Sequence, residues 1–315
     1  MDEFATIAEL FRPLAIHPAA RGLLDDVAVL PGRPGHDLVL TKDAIVEGVH
    51  FLPGDPLDLV ARKLLRVNLS DLAAKGAEPF AYLLACAWSP RCGEVERRAF
   101  ADGLAQDQAE FGLTLLGGDT VSTPGPLTLS ATLLGWAPEG RAPSRRGARA
   151  GDLLMVSGPI GDGWLGLKAA RGELQALAEG AVAALAERYR LPRPRLDLRE
   201  AVRASARASA DVSDGLIADA GHLAEAGELA LYIELETAPL SLEAALWVAS
   251  QPDEAAARLC LVTGGDDYQL VCAVAPGAAE GFPGTAVGRF AEGSGVQVRY
   301  RGQPVEVGRA GWAHG

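Results

Sequence analysis

The sequence is poor in several features that commonly mark a functional class. Its 315 residues include only four cysteines, with no CxxC pair and no histidines at zinc spacing. Buried free thiols are therefore expected rather than disulfides or a zinc site. P-loop, HExxH and GxSxG signatures are also missing, which removes the common nucleotide-binding, zinc-protease and serine-hydrolase motifs.

Long hydrophobic runs are missing as well. No apolar stretch reaches the roughly 18 residues that would predict a membrane span. The first residues, MDEFATIAELF, contain no basic leader followed by an apolar stretch. Because 49% of the residues are nevertheless hydrophobic, we expect a soluble, cytoplasmic protein with a sizeable core.

Positive charge is scarce. Lys and Arg together number 29 against 41 Asp and Glu, so the formal net charge is −12, which argues against nonspecific nucleic-acid binding. Phosphorylated small molecules stay open as ligands, because divalent cations can reverse the local field of an acidic pocket. Only 4 of the 29 basic residues are Lys, so a lysine inside a motif is more informative than an arginine.

Apolar periodicity predicts an α/β (α+β type) chain of two domains. Residues 137–152 are rich in Pro, Gly and Arg and have no apolar period, which predicts a domain boundary. We expect an N-terminal domain over 1–137, a linker over 138–150 and a C-terminal domain over 151–315. The predicted helices and strands are a helix near 3–12, a strand at 36–43, a helix at 57–75, a strand at 80–88, a helix at 94–111, strands at 113–117 and 127–136, a strand at 152–157, helices within 164–190 and 196–206, a strand before Asp211 and a helix at 216–226.

One glycine motif resembles a dinucleotide-binding turn. GDGWLG, with Gly161, Gly163 and Gly166, fits GxGxxG and comes after a predicted strand. A long helical stretch comes next in the chain, with no second strand ending in an acidic residue about 20 residues on. The context therefore argues against a nicotinamide oxidoreductase.

Aspartate recurs beside Gly, Ser or Thr at the ends of predicted strands and the starts of predicted helices. Each one alone is more typical of a turn or a helix cap. If the carboxylates converge, cations must offset their repulsion, and oxygen ligands without Cys or His favour Mg²⁺. The stretches are GLLDDVAVL, LVLTKDAIVEGVHF, VNLSDLAAKGA, LLGGDT, ADVSDGL and TGGDDYQL.

The order and wording of these stretches resemble the thiamine-monophosphate kinase family over nearly the whole chain. That family lies in the superfamily of aminoimidazole ribonucleotide synthetase and selenophosphate synthetase. The resemblance implies transfer of the γ-phosphoryl group of ATP to thiamine monophosphate, with several Mg²⁺ ions. It also implies a homodimer whose N-terminal domains, each a mixed β-sheet with helices, pair through that sheet, and a C-terminal α/β domain that completes the active site.

The same resemblance implies the metal-binding and catalytic residues. The metal ligands would be Asp25 or Asp26, Thr41, Asp43, Asp71, Asp119, Asp211 and Asp214, and the catalytic group would be Asp43, Asp71, Asp119 and Asp211.

Nucleotide and acceptor contacts are implied by the resemblance too. Gly118, Asp119, Arg145 and Ser213 would lie along the ATP phosphates, and His50, Asp266 and Trp312 would face thiamine monophosphate. Structural alternatives exist for three of these residues: His50 as a satisfied core histidine, Trp312 as a tail anchor and Arg145 as one of several linker arginines.

Three positions depart from the family's usual wording. Leu24 stands where glycine is common, Lys42 stands where threonine is common, and Asp266 replaces glutamate, shortening the reach by one methylene. We hypothesise that Lys42 supplements the metal site, although it could equally bind a phosphate or point into solvent. The substrate contact of Asp266 is then expected to run through water.

Two rivals stay open. One is another ATP-dependent enzyme of the same superfamily with a different acceptor, and the other is a non-catalytic protein that binds divalent ions or nucleotides.

Phosphoryl transfer requires mainly in-line positioning and charge neutralisation. Because a phosphate acceptor is largely ionised at pH 7, no general base is required.

Overall fold

The computed structural model describes residues 3–174 and 177–312. The chain divides into two compact units, unit 1 (Met1–Leu72 and Ala77–Gly140) and unit 2 (Ala73–Gly76 and Arg141–Gly315). Most of the predicted linker packs within unit 2, where Ala148 is a buried core residue. None of the helices in the described ranges is long and apolar enough to cross a membrane.

Unit 1 is built on a four-stranded mixed sheet in the order β1-β4-β2-β3. β4 pairs antiparallel with both β1 and β2, and β3 pairs parallel with β2. This arrangement confirms the predicted mixed sheet of the N-terminal domain. The strands are β1 (His36–Val46), β2 (Glu78–Trp88), β3 (Leu115–Ser122) and β4 (Thr128–Pro138), and the helices are α1 (Glu3–Thr6), which continues as a π-helical turn (Ile7–Phe11), α2 (Leu57–Ala74) and α3 (Glu94–Phe111).

Helices α2 and α3 pack on one face of this sheet. The Tyr82 hydroxyl of β2 donates a 2.8 Å hydrogen bond to Gln108 of α3. A side chain at Gly103 of α3 would place its Cβ 2.2 Å from the Asp58 carbonyl oxygen of α2. The helices therefore cross at backbone contact, which requires glycine at 103. Helix α3 ends as predicted, at the left-handed Gly112 (φ 68°).

The opposite face of the sheet retains exposed apolar side chains. Residues two apart on a strand share a face, and partners across a ladder do too. Leu40 of β1 is 59% exposed and Leu83 of β2 is 40% exposed. Both strands pair with β4, and the register of these pairings places the two side chains on the same face of the sheet. This surface, with Leu38 and Val121, is the apolar sheet face of unit 1.

Unit 2 contains a seven-stranded mixed sheet in the order β11-β10-β7-β9-β5-β8-β6. Its main core lies between α7 and the sheet and includes Leu216, Leu223, Leu231 and Phe290. The strands are β5 (Leu153–Val156), β6 (Ala206–Asp211), β7 (Leu229–Glu234), β8 (Leu270–Val274), β9 (Thr285–Glu292), β10 (Gly295–Tyr300) and β11 (Gln303–Val305), and the helices are α4 (Asp162–Ala170), α5 (Glu179–Arg190), α6 (Arg199–Ser205), α7 (Leu216–Ala226), α8 (Leu242–Ala249), α9 (Glu254–Val262) and α10 (Pro276–Ala279).

The prediction that the motif aspartates lie at strand ends and helix starts is wrong for three of them. Asp43 lies within β1, because pairing with β4 continues to Val46. Asp71 lies in the last turn of α2 rather than at its start. Asp119 lies inside β3, because the parallel pairing with β2 continues to Ser122.

Candidate functional site

In unit 1 the structure brings together three of the predicted metal-binding residues. Thr41 and Asp43 are two apart on β1 and share the face that α2 covers. The Thr41 hydroxyl donates a hydrogen bond to Asp71 Oδ2. The side chain of Asn68, one turn earlier on α2, accepts a 3.0 Å hydrogen bond from the Asp43 amide. Strand and helix are therefore fixed to each other beside the two carboxylates.

Burial and a neighbouring carboxylate both disfavour the charged form of Asp43. Burial raises the pKa of Asp43 to about 6, and the neighbouring Asp71 charge acts in the same direction. Carboxylate and hydroxyl oxygens are the ligands that Mg²⁺ prefers, and a divalent cation would offset the repulsion between Asp43 and Asp71. Within the described ranges, no three His, Cys, Asp or Glu side chains form a metal-binding group. The donor chemistry thus fits a divalent cation held by two carboxylates in unit 1.

Lys42 does not join this group. It lies between Thr41 and Asp43 on an uninterrupted strand, so its side chain emerges on the opposite face. It is exposed and belongs with the apolar sheet face. Of the three roles considered for it, a place beside the Asp43 and Asp71 carboxylates is the one that this geometry disfavours.

A second part of unit 1 is a cavity of about 690 Å³. Asp25, Asp26, Gly118 and Asp119 line it, together with apolar side chains that include Phe4, Ile7, Phe11 and Leu83. The cavity therefore combines an acidic wall with an apolar wall, an arrangement able to take a ligand with an aromatic part and an anionic part bridged by cations.

Asp25 of this cavity is paired with an arginine, and the backbone just before it is left-handed. Arg21 hydrogen-bonds the Asp25 carboxylate and holds its pKa below the ordinary value. The left-handed residues here are Arg21, Gly22 and Leu23. Leu24 has φ −110°, so replacing the family's usual glycine requires no unusual backbone angle at that position.

Glycine at 118 has a steric reason. A Cβ there would lie 1.8 Å from the Leu84 carbonyl oxygen of β2. The neighbouring Asp119 is in register with Ala85, and Thr120 accepts a 2.7 Å hydrogen bond from the Trp88 indole. The absence of a side chain at 118 thus lets β3 run close to β2 and presents Asp119 from a regular strand.

His50 lies in a tight turn after β1 and is not among the residues that line the cavity. Its Nδ1 accepts a 3.0 Å hydrogen bond from the Val46 amide, which places the proton of the neutral ring on Nε2. Lys63 donates a 3.0 Å hydrogen bond to the His50 carbonyl oxygen. The ring orientation is therefore fixed by the backbone of its own turn.

In unit 2 the DVSDGL stretch forms a loop between β6 and α7. Asp211 ends β6 and is buried, and Ser213 and Asp214 come next on the loop. Oδ2 of Asp219 accepts hydrogen bonds from the amides of Ser213, Asp214 and Gly215 at 3.0, 3.0 and 3.1 Å. Sequence reasoning missed Asp219, although an acidic residue in the first turn of a helix is a recognisable capping signal.

The TGGDDYQL turn packs directly on this loop. Asp266 and Tyr268 both have left-handed backbones, with φ of 61° and 51°. The Asp266 amide donates to the Ser213 carbonyl oxygen and the Tyr268 amide to that of Val212, both at 2.8 Å. The loop at 212–215 and the turn at 263–268 therefore form one hydrogen-bonded assembly.

Asp267 serves the start of α4 rather than the loop. Its carboxylate accepts hydrogen bonds from the Gly161 and Gly163 amides at 2.8 to 2.9 Å. Burial raises the pKa of Asp267 to about 8, against the opposing effect of these two amides. This contact joins the turn at 263–268 to the start of α4.

The GDGWLG glycines serve close packing. A Cβ at Gly163 would lie 2.3 Å from the Asp266 carbonyl oxygen, and one at Gly166 would lie 2.3 Å from that of Leu185. The preceding strand β5 pairs antiparallel with both neighbours, and α4 is followed by α5. Neither feature fits the parallel βαβ unit of a dinucleotide-binding domain, so the nicotinamide interpretation fails.

The two remaining predicted residues also lie in unit 2. Arg145 begins a single 3₁₀ turn (Arg145–Gly147) and is exposed. Trp312 is 51% exposed, and its amide donates a 2.8 Å hydrogen bond to the Asp214 carbonyl oxygen. The Arg309 guanidinium lies 5.3 Å from the Trp312 ring centre. Trp312 is thus attached to the same loop as Asp214 while its ring stays accessible.

The chain is similar to known proteins along nearly its whole length. Residues 24–137 match the family described as AIR synthase related protein, N-terminal domain, and residues 149–301 match its C-terminal domain. A thiamine-monophosphate kinase of Caulobacter vibrioides is 54% identical, with 99% of this chain and 91% of that protein covered.

Solved structures agree. The crystal structure of the thiamine-monophosphate kinase from Stenotrophomonas maltophilia K279a superposes with a TM-score of 0.79 at 35% identity, covering 90% of this chain and 91% of the other. A structure described as AaThiL complexed with AMPPCP and TMP also gives 0.79, at 30% identity, with 89% of each chain covered. The chain therefore belongs to the thiamine-monophosphate kinase family, built from the two AIR synthase related domains.

Proposed function

We propose that the protein transfers the γ-phosphoryl group of ATP to the phosphate of thiamine monophosphate, giving thiamine diphosphate and ADP. Similarity along 99% of the chain to a relative of that name carries the proposal. The acidic and glycine-rich motifs that lie in one cavity or one hydrogen-bonded loop assembly support it.

Two carboxylates of unit 1 form the centre of the proposed metal site. Asp43 and Asp71, with the Thr41 hydroxyl, would hold Mg²⁺, which would neutralise phosphate charge and orient the transferred group. The phosphates of ATP and of the acceptor must approach each other, and unscreened unit charges about 4 Å apart repel by about 4 kcal/mol at an effective dielectric of 20. Bound Mg²⁺ would remove that repulsion. The rest of the proposed ligand set is Asp25 or Asp26, Asp119, Asp211 and Asp214. Asp119 lies on the opposite sheet face from Asp43 and lines the cavity with Asp25 and Asp26, so it would hold a separate ion.

The acceptor needs orientation more than activation. An oxygen of its phosphate attacks the γ-phosphorus of ATP as the bond to the β,γ-bridging oxygen breaks and ADP leaves with that electron pair. The attacking oxygen carries no proton at neutral pH, because the second pKa of a phosphate monoester is about 6. We accordingly assign no general base, and His50 serves binding rather than proton transfer.

We assign separate binding roles to the remaining residues. Gly118, Asp119, Arg145 and Ser213 would contact the ATP phosphates, and Trp312 would cover the aromatic part of thiamine monophosphate. Asp266 would contact that substrate together with His50. The accessible ring of Trp312 and the acidic wall of the unit 1 cavity support these assignments.

We also propose a cytoplasmic homodimer that pairs through the apolar sheet face of unit 1. The exposed side chains of Leu38, Leu40 and Val121 support pairing there, because an apolar sheet face of this kind is unfavourable in water. The division at residues 138–150 stays a prediction for where one functional domain ends and the next begins.

An acceptor panel tests the proposed reaction against its superfamily rival. Purified protein with ATP and Mg²⁺ is offered thiamine monophosphate, thiamine or other phosphate monoesters, and ADP formation is measured. The proposal expects ADP formation only with thiamine monophosphate and its loss on adding EDTA. Turnover with a different acceptor would support the rival, and ATP binding without any turnover would support a non-catalytic role.

A further inference from the structure

A single buried carboxylate organises the loop between β6 and α7. Asp219 lies in the first turn of α7 and is 3% exposed. Its Oδ2 accepts from three consecutive backbone amides, those of residues 213–215. Three donors on one oxygen fix the loop more firmly than an ordinary helix cap, which satisfies one or two amides.

The carbonyl oxygens of the same loop hold the two segments that carry the proposed acceptor contacts. Val212 and Ser213 accept from the amides of Tyr268 and Asp266, and Asp214 accepts from the amide of Trp312, all at 2.8 Å. Hydrogen bonds thus run from Asp219 through the loop to both segments. The amides of residues 213–215 point towards Asp219, and the carbonyls of residues 212–214 point towards the turn or the C-terminal segment.

Close packing leaves these segments little room to shift independently. A Cβ at Gly265 would lie 2.5 Å from the Ser213 carbonyl oxygen, and one at Gly311 would lie 2.6 Å from that of Asp214. Backbone lies against backbone at both places. A displacement of the loop would therefore displace the turn and the C-terminal segment with it.

We propose that Asp219 is a positioning residue that sets the affinity for the acceptor by fixing, through the loop at 212–215, the places of Asp266 and Trp312. The acceptor part rests on the proposed function, whereas the mechanical part concerns the protein alone. Asp219 makes no contact with substrate under this proposal. It acts through the backbone of residues 213–215.

Amide hydrogen exchange tests the mechanical part without any activity. Asp219→Ala removes all three acceptor contacts, and Asp219→Asn retains one acceptor oxygen without charge. We expect exchange in segments 213–215, 265–268 and 311–312 to accelerate together, by at least about tenfold in Asp219→Ala and by less in Asp219→Asn.

Asp152→Asn is the matched control. Asp152 is another buried carboxylate of unit 2, where it accepts from the Arg149 amide and the Arg207 guanidinium at 2.9 and 2.7 Å. Its variant should lower stability without selective exchange in the three segments. Acceleration confined to 213–215, or spread across unit 2 as in Asp152→Asn, would overturn the proposal.

Kinetics then test the consequence for the acceptor. We expect Asp219→Ala to raise KM for thiamine monophosphate about tenfold, Asp219→Asn to restore part of that loss, and Asp152→Asn to change it less than twofold. Coupled exchange in all three segments without any change in KM would overturn the acceptor role. If the unaltered protein forms no thiamine diphosphate, the proposed function falls, and the exchange result still decides the mechanical part.

Discussion

The Tyr268 hydroxyl donates a 3.0 Å hydrogen bond to Oδ1 of Asp266, two residues earlier. Both residues have left-handed backbones, a conformation that is unfavourable for non-glycine residues and persists where surrounding contacts impose it. The Tyr268 hydroxyl therefore fixes the orientation of the Asp266 carboxylate, the side chain that we assign to the acceptor.

Replacing Tyr268 with Phe tests this orientation. Loss of one hydrogen bond is worth about 1 kcal/mol, so KM for thiamine monophosphate should rise about fivefold while the fold is retained. Steady-state kinetics with varied acceptor measure the change. Tyr232→Phe, on β7 with its ring against Arg299, is the control, and an equal effect there would count against a specific role for Tyr268.

The raised pKa of Asp267 predicts a pH dependence of stability. With a pKa of about 8 in the folded protein and about 3.9 unfolded, the folded state binds one more proton between these values. Asp267 therefore contributes most to the free energy of unfolding below about pH 4. As the pH rises to about 8, that contribution falls by up to about 1.4 kcal/mol per pH unit.

Asp267→Asn removes that titration while keeping an acceptor for the Gly161 and Gly163 amides. Urea denaturation at pH 5, 6, 7 and 8 should show the wild type losing stability relative to the variant as pH rises. A difference between the two proteins that stays constant over this range would show that Asp267 is ionised throughout.

Gly118→Ala should disrupt the approach of β3 to β2. The added methyl group would collide with the Leu84 carbonyl oxygen, so we expect a loss of several kcal/mol in unfolding free energy, beyond the usual 1 to 3 kcal/mol for overpacking. Chemical denaturation measures it. Gly32→Ala, where a Cβ would meet nothing within 4 Å, is the control, and similar losses in both variants would contradict the steric explanation.

Asp107 should matter for stability rather than for the reaction. Its side chain is fully buried and accepts hydrogen bonds from Arg62 and Arg66 at 2.7 to 3.0 Å. Removing one partner of a buried ion pair typically costs 3 to 5 kcal/mol, and we expect Asp107→Ala to lose about that much. Thermal unfolding and acceptor KM are measured together, and an altered KM with unchanged stability would contradict this assignment.

Local sequence patterns predicted much of unit 1. The alternating apolar positions of β1 and β2 and the helical period of α2 and α3 lie close to their predicted ranges. The course of β3 was predicted poorly, because its parallel partner β2 lies about 30 residues earlier and makes the GGDT glycines part of a strand. Sequence alternation alone could have separated Lys42 from Thr41 and Asp43.

The sequence motifs predicted the acidic residues of the candidate site, but not the hydrogen bonds that hold its loops in place. Asp25, Asp26 and Asp119 line one cavity, and Thr41, Asp43 and Asp71 form one group. Asp267, in contrast, bonds amides more than 100 residues away in the chain, a pairing that no local pattern contains. Asp219 was within reach of a capping argument, yet its role depends on which carbonyls the loop offers to distant segments.

The most direct measurement is the product balance of one reaction. ATP, Mg²⁺ and thiamine monophosphate are incubated with the protein or with Asp119→Asn, and ADP and thiamine diphosphate are separated by chromatography. We predict equal amounts of the two products with the wild type and neither with the variant or with EDTA. ADP without thiamine diphosphate, or equal yields from the variant, would contradict the proposed kinase and its acidic site.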